Sequence, residues 1–559
     1  MIDLKSLQQQ LIENKLDAYI VTRNNMFLGQ DVLPEENKIL ALTGFRGSAG
    51  NLIVFRDRAV LLVDGRYDIQ ARQQTDASCV EVVCTRDSVG SWIQNNIKSP
   101  FVFAYDAWCH SIAEVDFWKR VLTNHEFIED KHNLLGIRTC NVQPKIFELE
   151  ERFAGISAEE KISYLSKFCL ENHLDAYLLC ESDCVSWLMN LRSDLLADTP
   201  ILRAFALVSA QGEVSLFIND FQSLAAELAT MKGKTVGASF GKTPKKIQIL
   251  VKDYKVWLRN IFNPVTDWKA EKNSVEIAGF RAAHVRDGVA VCRFLHWLEQ
   301  NWQGQDELSV VEKLRQFRAD GEYFYSDSFA TIAGCDAHGA IIHYQPSSET
   351  NAALESGTLL LIDSGAQYFD GTTDITRTVA LGQASDEMKD SYTQVLKAHI
   401  AVANALFPPQ TPGAALDTLA RATLWHFGKD YAHGTGHGVG HFLGVHEGPQ
   451  SLSLKNTVPL KKNMVVSIEP GFYKENAYGI RLENLALIEE DDTTFDKPML
   501  YFEPLTLVPF ALDLLNLSLL SKEEINWLNV YHQKVWQTLV PHLHDDDALW
   551  LKHACRAIG

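Results

Sequence analysis

Long apolar runs are missing from this chain of 559 residues. Its most apolar late stretch, "FEPLTLVPFALDLLNLSLL", is broken by Glu503, Pro504, Pro509 and Asp513, short of the roughly 18 uninterrupted apolar residues that span a bilayer. The opening, "MIDLKSLQQQLIENK", has no basic stretch leading into an apolar one, so a soluble cytoplasmic protein is expected. Positive charge is also short: 52 Lys and Arg stand against 71 Asp and Glu, for a net charge of −19. So acidic a surface repels phosphate, and neither nucleic acid nor a membrane is an expected partner. Paired cysteines are missing too. The 10 cysteines are scattered singly, and the nearest pair, Cys180 and Cys184, has no matching His or Cys pair beside it. Reduced, mostly buried thiols are expected in place of a zinc site or a disulfide framework.

The length is too great for one hydrophobic core, and an internal repeat divides it. "LIENKLDAYIVTRNN", beginning at Leu11, returns as "CLENHLDAYLLCESD", beginning at Cys169. In each copy a helix pattern ends at Asn and a basic or His residue, and Leu-Asp-Ala-Tyr then enters an apolar run that reads as a buried strand. Two similar helix-then-strand domains in tandem are expected, over 1–139 and 140–264. Pro144 marks the first boundary, and Asn263 with Pro264 the second. A long helix should follow, capped by Asn273 or Ser274, with Glu276 in its first turn and Val285, Val289, Cys292 and Leu295 along one stripe. From there, hairpins alternating with helices predict an α+β domain over 265–559.

That last region carries the chemistry. "GTLLLIDSGAQYFDGTTDITRTVALG" reads as strand, turn, strand, with Asp370-Gly371 as the turn signal. Asp363 closes the first strand and Asp374 opens the second, so a hairpin can set the two carboxylates side by side. Like charges at close range repel unless a cation or proton compensates. "NMVVSIEPGFY" puts Glu469 at the end of another apolar strand. In "YGIRLENLALI", period-two alternation predicts Gly479, Arg481 and Glu483 on one face of a strand. Arg481 can neutralise one carboxylate, which is the structural reading of these acids, but it cannot neutralise four. Asp363, Asp374, Glu469 and Glu483 with one imidazole make an oxygen-rich set suited to two divalent cations, Mn²⁺ first, with Co²⁺ or Zn²⁺ possible. The imidazole would come from "HGTGHGVGHFLGVHEG", residues 433–448. Its glycines each cost a helix roughly 1 kcal/mol relative to alanine, which predicts an irregular, tightly turned loop and leaves His433, His437, His441 and His446 to be sorted by other means.

Taken together, "IDSGAQYFDGTTDITRT", "HGTGHGVGHFLGVHEGP", "SIEPGFY" and "GIRLENL" resemble the motifs of the three-domain Xaa-Pro aminopeptidases (aminopeptidase P) among the pita-bread metallopeptidases. The resemblance covers essentially the whole chain, including "YFEPLTLVPF" and "WLNVYH" in the tail. It implies two creatinase-like N-terminal α/β domains before a C-terminal pita-bread catalytic domain. It further implies that Asp363 binds one metal, that Asp374 and Glu483 bridge, and that His437 and Glu469 complete the other. Glu469 would also move the proton of the attacking water. His343, in "GAIIHYQP", and His446 match positions that face the substrate, where they can support a developing oxyanion. His433 belongs to the matched motif, for substrate contact or proton transfer, and Arg481 is expected to bind the substrate directly. Arg66, in "DGRYDIQA", matches an arginine associated with peptide binding, although a solvated or structural arginine fits that position equally well. His441 is read as a bystander.

The activity implied is metal-dependent release of the N-terminal residue from peptides with proline second. A bond before proline lacks an N–H and constrains its neighbour, so peptidases that rely on backbone pairing fit it poorly. A prolidase would share the metal set, but it usually has one N-terminal domain, against which the repeat counts. A non-catalytic pita-bread protein, kept as a peptide-binding module, would normally have lost ligands. A homodimer is expected from the resemblance.

Overall fold

The computed structural model describes residues 3–29, 32–136, 143–494 and 496–559. The boundary expected at 139/140 falls outside them. The chain forms two compact units. One comprises Met1–Glu148, Ile156–Leu196 and Ile201–Val265, and the other comprises Leu149–Gly155, Ala197–Pro200 and Thr266–Gly559.

Within the first unit the repeat is physical. Helix Leu4–Glu13 ends at Asn14, whose side chain donates to the Gln10 carbonyl, and Lys15 then turns left-handed at φ 57°. Helix Ala158–Glu171 ends in the same way at Asn172, bonded to Phe168, with His173 at φ 55°. In both copies the leucine that follows returns its N–H to the helix, Leu16 to Leu11 and Leu174 to Cys169, closing a Schellman-type cap. The repeated aspartate then ties its strand to a parallel neighbour. Asp17 accepts from Val102 N at 2.9 Å, and Asp175 from Thr235 N at 2.8 Å.

The two sheets have matching orders. Val214–Ile218, Ala204–Ser209, Ala176–Leu179, Thr235–Ala238 and Trp257–Asn260 lie side by side in the second copy. Ala59–Val63, Asn51–Phe55, Ala18–Thr22, Val102–Tyr105 and Glu126–Glu129 do so in the first, with Val80–Cys84 added at one edge. In each sheet the repeated strand is central, antiparallel to one neighbour and parallel to the other.

The second unit contains the long helix Ser274–Asn301, for which Asn273 and Glu276 form a reciprocal capping box. Cys292 and Leu295 are buried on it, while Val285 and Val289 are only half-buried. The buried stripe also takes in His284, Asp287 and Gly288, which a hydrophobic pattern does not mark. Two sheets carry the acidic and histidine motifs. One orders Ile332–Cys335, Thr358–Ser364 and Ile375–Leu381, and the other orders Glu447–Leu452, Gly436–Gly438, Val465–Ile468, Asn484–Asp491 and Met499–Pro504.

Three local expectations change here. The Asp363/Asp374 hairpin is not closed by one turn. Ala366–Tyr368 and Gly371–Thr372 leave it as a side ribbon that pairs with Phe324–Asp327, and the main strands pair as Asp363↔Thr376 and Ser364↔Ile375. Asp374 therefore sits one residue before its strand. Next, Glu483 does not continue the Arg481 strand. Tyr478–Arg481 pairs with Gly471–Lys474, whereas Asn484–Asp491 belongs to the five-stranded sheet. Alternation fails because the chain changes sheets at Leu482-Glu483. Lastly, the glycine-rich segment is not wholly irregular, since Gly436–Gly438 is a strand between Glu447–Leu452 and Val465–Ile468.

Candidate metal centre

His437 stands in the middle of that short strand, and the residues on either side must be glycine. A Cβ on Gly436 would lie 1.9 Å from the Ser467 carbonyl oxygen, and one on Gly438 would lie 2.2 Å from that of Glu447. The His437 backbone N–H donates to Ser467 Oγ at 2.9 Å, and its ring Nδ1 lies 2.9 Å from the Gly438 carbonyl. A proton on Nδ1 leaves Nε2 as a lone pair. That atom lies 3.4 Å from Asp374 Oδ2 and 3.6 Å from Glu469 Oε1.

Donor atoms of Asp374, His437 and Glu483 all fall within 4.8 Å of one another. Glu483 is held at three points. Its N–H donates to the Thr376 carbonyl, its carbonyl accepts from Arg377 at 2.6 Å, and its Oε2 accepts from Thr376 Oγ1 at 2.8 Å. Arg377 goes on to the carbonyls of Val508 and Pro509 and to the Tyr531 hydroxyl, so the tail braces the backbone that carries Glu483. Glu469 follows strand Val465–Ile468, and its Oε1 accepts from Ser467 Oγ.

Asp363 pairs with Arg481, whose Nη2 lies 2.5 Å from Oδ2. The other guanidinium nitrogens reach Thr376 Oγ1 and the Tyr473 hydroxyl, and Arg481 is 2% exposed. The direct substrate contact expected of Arg481 therefore gives way to internal pairing, because every nitrogen of the fork is engaged within the protein. His433 extends the same line, with Nε2 lying 2.8 Å from the Tyr473 hydroxyl and Nδ1 lying 2.7 Å from the Gly434 carbonyl.

One arginine does not balance four carboxylates. Burial, reinforced by Asp363 and Glu469, holds the Asp374 carboxyl well above the usual range. Burial also raises Glu483, with Asp374 adding to it, and raises Glu469 despite the opposing pull of His437 and Arg481. Oδ1 of Asp363 and Oδ1 of Asp374 are buried without a hydrogen-bond partner among the described residues. A buried oxygen left in that state is costly, and a divalent cation answers both the missing partner and the excess charge. The residues fit a metal site.

The remaining expected residues lie as follows. The His446 ring meets that of His437 edge to face at 4.3 Å, and His446 is exposed. His343 is half-buried in the segment after the short helical turn Asp336–Ala340. His441 is 1% exposed and packs against Phe280. Arg66 lies in the first unit, its Nε and Nη2 both bonded to Asp64 and its guanidinium over Tyr67.

Sequence reasoning missed the supports of the histidine segment. Asp417 and Arg421, on helix Gly413–Trp425, form a buried pair. Arg421 binds the carbonyls of Tyr431 and His433, and Asp417 accepts from Thr435. Their four-residue spacing on a helix was the available signal. Glu447, beside His446, is clamped by Lys269 and Lys272, all three at most 2% exposed. That clamp has no signature in the local sequence.

Residues 278–490 match metallopeptidase family M24, and 498–558 match the C-terminal region of peptidase M24. Residues 4–140 and 138–276 each match a creatinase/prolidase N-terminal domain. The chain is 34% identical to aminopeptidase P1 of Lotus japonicus, over 97% of each protein. It is 33% identical to Xaa-Pro aminopeptidase 2 of Sus scrofa, over 97% of this chain and 86% of the relative. The X-prolyl aminopeptidase of Caenorhabditis elegans, described as a cytosolic enzyme with a di-nuclear active site, superposes with a TM-score of 0.92 at 29% identity over 99% of both chains. A prolidase from Pyrococcus horikoshii shares the fold over only 63% of this chain, at a TM-score of 0.50 and 23% identity. With both N-terminal domains, the catalytic domain and its tail all matched, the chain belongs to the Xaa-Pro aminopeptidases of metallopeptidase family M24.

Proposed function

We propose that this chain is a two-metal Xaa-Pro aminopeptidase, releasing the first residue of peptides whose second residue is proline. The observation that carries the reading is the convergence of Asp374, His437 and Glu483 on one point, with Glu469 within 3.6 Å of His437 and with buried, unpartnered oxygens on Asp363 and Asp374. Those five side chains would hold the metals. Four carboxylates to one imidazole is a hard donor set, which favours Mn²⁺ over Co²⁺ or Zn²⁺. Bound metal lowers the pKa of water toward neutrality, supplying a nucleophile at physiological pH.

The rest falls to the protein's own groups. Glu469 takes a proton from the attacking water and passes it to the leaving nitrogen. His446, exposed beside His437, and His343 hydrogen-bond the scissile carbonyl as negative charge develops on its oxygen. His433 orients Tyr473, which meets Arg481, and Arg481 fixes Asp363. We also propose a cytosolic location, as described for the C. elegans enzyme, and a homodimer, as the family resemblance implies. No helix among the described residues is long and apolar enough to cross a membrane.

The deciding assay uses Mn²⁺-loaded protein on Arg-Pro-Pro, on Xaa-Pro dipeptides and on Xaa-Ala peptides. Release of arginine from Arg-Pro-Pro, with Xaa-Ala peptides spared, is expected. Cleavage confined to dipeptides would make it a prolidase, and binding without cleavage would make it a peptide-binding module.

A further inference from the structure

Glu307 is the first residue of helix Glu307–Ala319 and is 0% exposed. Four donors converge on its carboxylate. Oε1 lies 2.8 Å from both the Cys335 N–H and His338 Nδ1. Oε2 accepts from the Ala352 N–H at 3.0 Å and from the Tyr344 hydroxyl at 2.7 Å. These partners sit at both ends of segment 335–352 and twice within it. Apart from the turn Asp336–Ala340 the segment has almost no regular structure of its own, so one buried carboxylate stands in for a backbone ladder.

The same segment faces the strand pair of Gly471–Lys474 and Tyr478–Arg481, which carries Tyr473 and Arg481. Gly339 and Gly479 approach so closely that a Cβ on Gly479 would lie 1.7 Å from the Gly339 oxygen. Ile341 and Tyr344 pack in one cluster with Tyr473, the tyrosine that bonds Arg481. The His338 ring stacks on that of Tyr344 at 4.3 Å. His343 lies between Ile342 and Tyr344, both buried, and only one peptide separates it from the Tyr344 anchor.

We propose that Glu307 is a positioning residue for His343: through Tyr344, His338 and the two ends of the segment, it fixes the backbone from which that imidazole reaches the substrate. The proposal rests on the reading of His343 as a substrate contact. A carboxylate serves because it offers four lone pairs to four donors, whereas an amide would turn two hydrogens toward two of them.

A double-mutant cycle tests this on Mn²⁺-loaded protein with Arg-Pro-Pro as substrate, alongside Mn²⁺ titration of the apo form. His343→Ala is expected to lower kcat/KM at least about tenfold, and Tyr344→Phe, which keeps the ring and loses only the hydroxyl, by about three- to tenfold. Mn²⁺ affinity should be unchanged in both. In the His343→Ala background, Tyr344→Phe should have no further effect, and Glu307→Gln should show the same non-additivity with a larger loss. Equal fold-losses in both backgrounds, or a parallel fall in Mn²⁺ affinity, would overturn the positioning role while leaving His343 as a substrate contact. An unchanged kcat/KM in His343→Ala would instead remove the substrate-contact reading, and this inference with it.

Discussion

The Thr376 hydroxyl donates to Glu483 Oε2 at 2.8 Å. Glu483 in turn sends its backbone N–H to the Thr376 carbonyl. This reciprocal pair joins the strand opposite Asp363 to the point where the chain changes sheets, and so brings acids from two separate sheets into one site. Thr376→Val keeps the shape and removes the hydroxyl, leaving Glu483 Oε2 and Arg481 Nε each one partner short. A loss of about 1–3 kcal/mol in stability is expected, with weaker Mn²⁺ binding. Urea unfolding of the apo protein and calorimetric metal titration measure the two, and unchanged metal affinity would mean that Thr376 does not hold the ligand.

Arg481 and the metals answer the same excess of negative charge. Arg481→Met strips Asp363 of its ion-pair partner, and breaking a buried pair costs about 3–5 kcal/mol. Because bound cations supply some of the missing charge, Mn²⁺ should raise the melting temperature of the variant by more than it raises that of the wild type. Equal increments would show that the guanidinium does not compensate the cluster.

Proton binding sets a pH dependence with a definite sign. The carboxyls of Asp374 and Glu483 are held well above their usual range and that of Glu469 above it, in each case by burial first. The folded apo protein therefore holds protons that the unfolded chain has released. The associated stability is present below the unfolded value of about 4 and is lost as pH rises through the raised folded values. Metal affinity should climb over the same window, because binding displaces those protons. Titrating Mn²⁺ in buffers of different ionisation enthalpy reads the protons released. Zero release throughout that window, or affinity falling as pH rises through it, contradicts the assignment.

Glu469→Gln is nearly isosteric and keeps an oxygen toward the site but cannot carry the proton. A loss of about 10²- to 10⁴-fold in kcat is expected. Titration of Mn²⁺ separates this from metal loss: full occupancy with a slow rate supports the proton role, and a wild-type rate removes it.

Gly436→Ala tests the close approach behind His437. The new Cβ would meet the Ser467 oxygen at 1.9 Å, forcing the two strands apart at a cost of about 1–3 kcal/mol or more. Because Ser467 Oγ also holds the His437 N–H, metal affinity should fall together with the melting temperature. Retention of both would show that the strand adjusts.

The repeated helix and strand were legible because each copy is built from local contacts: an Asn cap, a left-handed residue, a leucine returning to its own helix. The acids were legible as carboxylates ending apolar runs, where burial without compensation is too costly to be incidental. His437 could not be separated from its neighbours by spacing, since Gly436 and Gly438 matter for what crosses behind them, the carbonyls of Ser467 and Glu447. The place of Glu483 was misread because alternation assumes one continuous strand, and the chain leaves one sheet for another at that point.

By itself, then, the sequence determined the tandem N-terminal domains and the family, and pointed to an oxygen-rich donor set, because caps, periodicity, turn signals and motif order are carried by residues close together in the chain. Only the tertiary structure decided that Arg481 is spent on Asp363, that Thr376 and Arg377 hold Glu483, and that Glu307 anchors the segment bearing His343. Those pairings join residues tens to more than a hundred positions apart. They depend on which sheet edges meet, and that is set by packing rather than by local pattern.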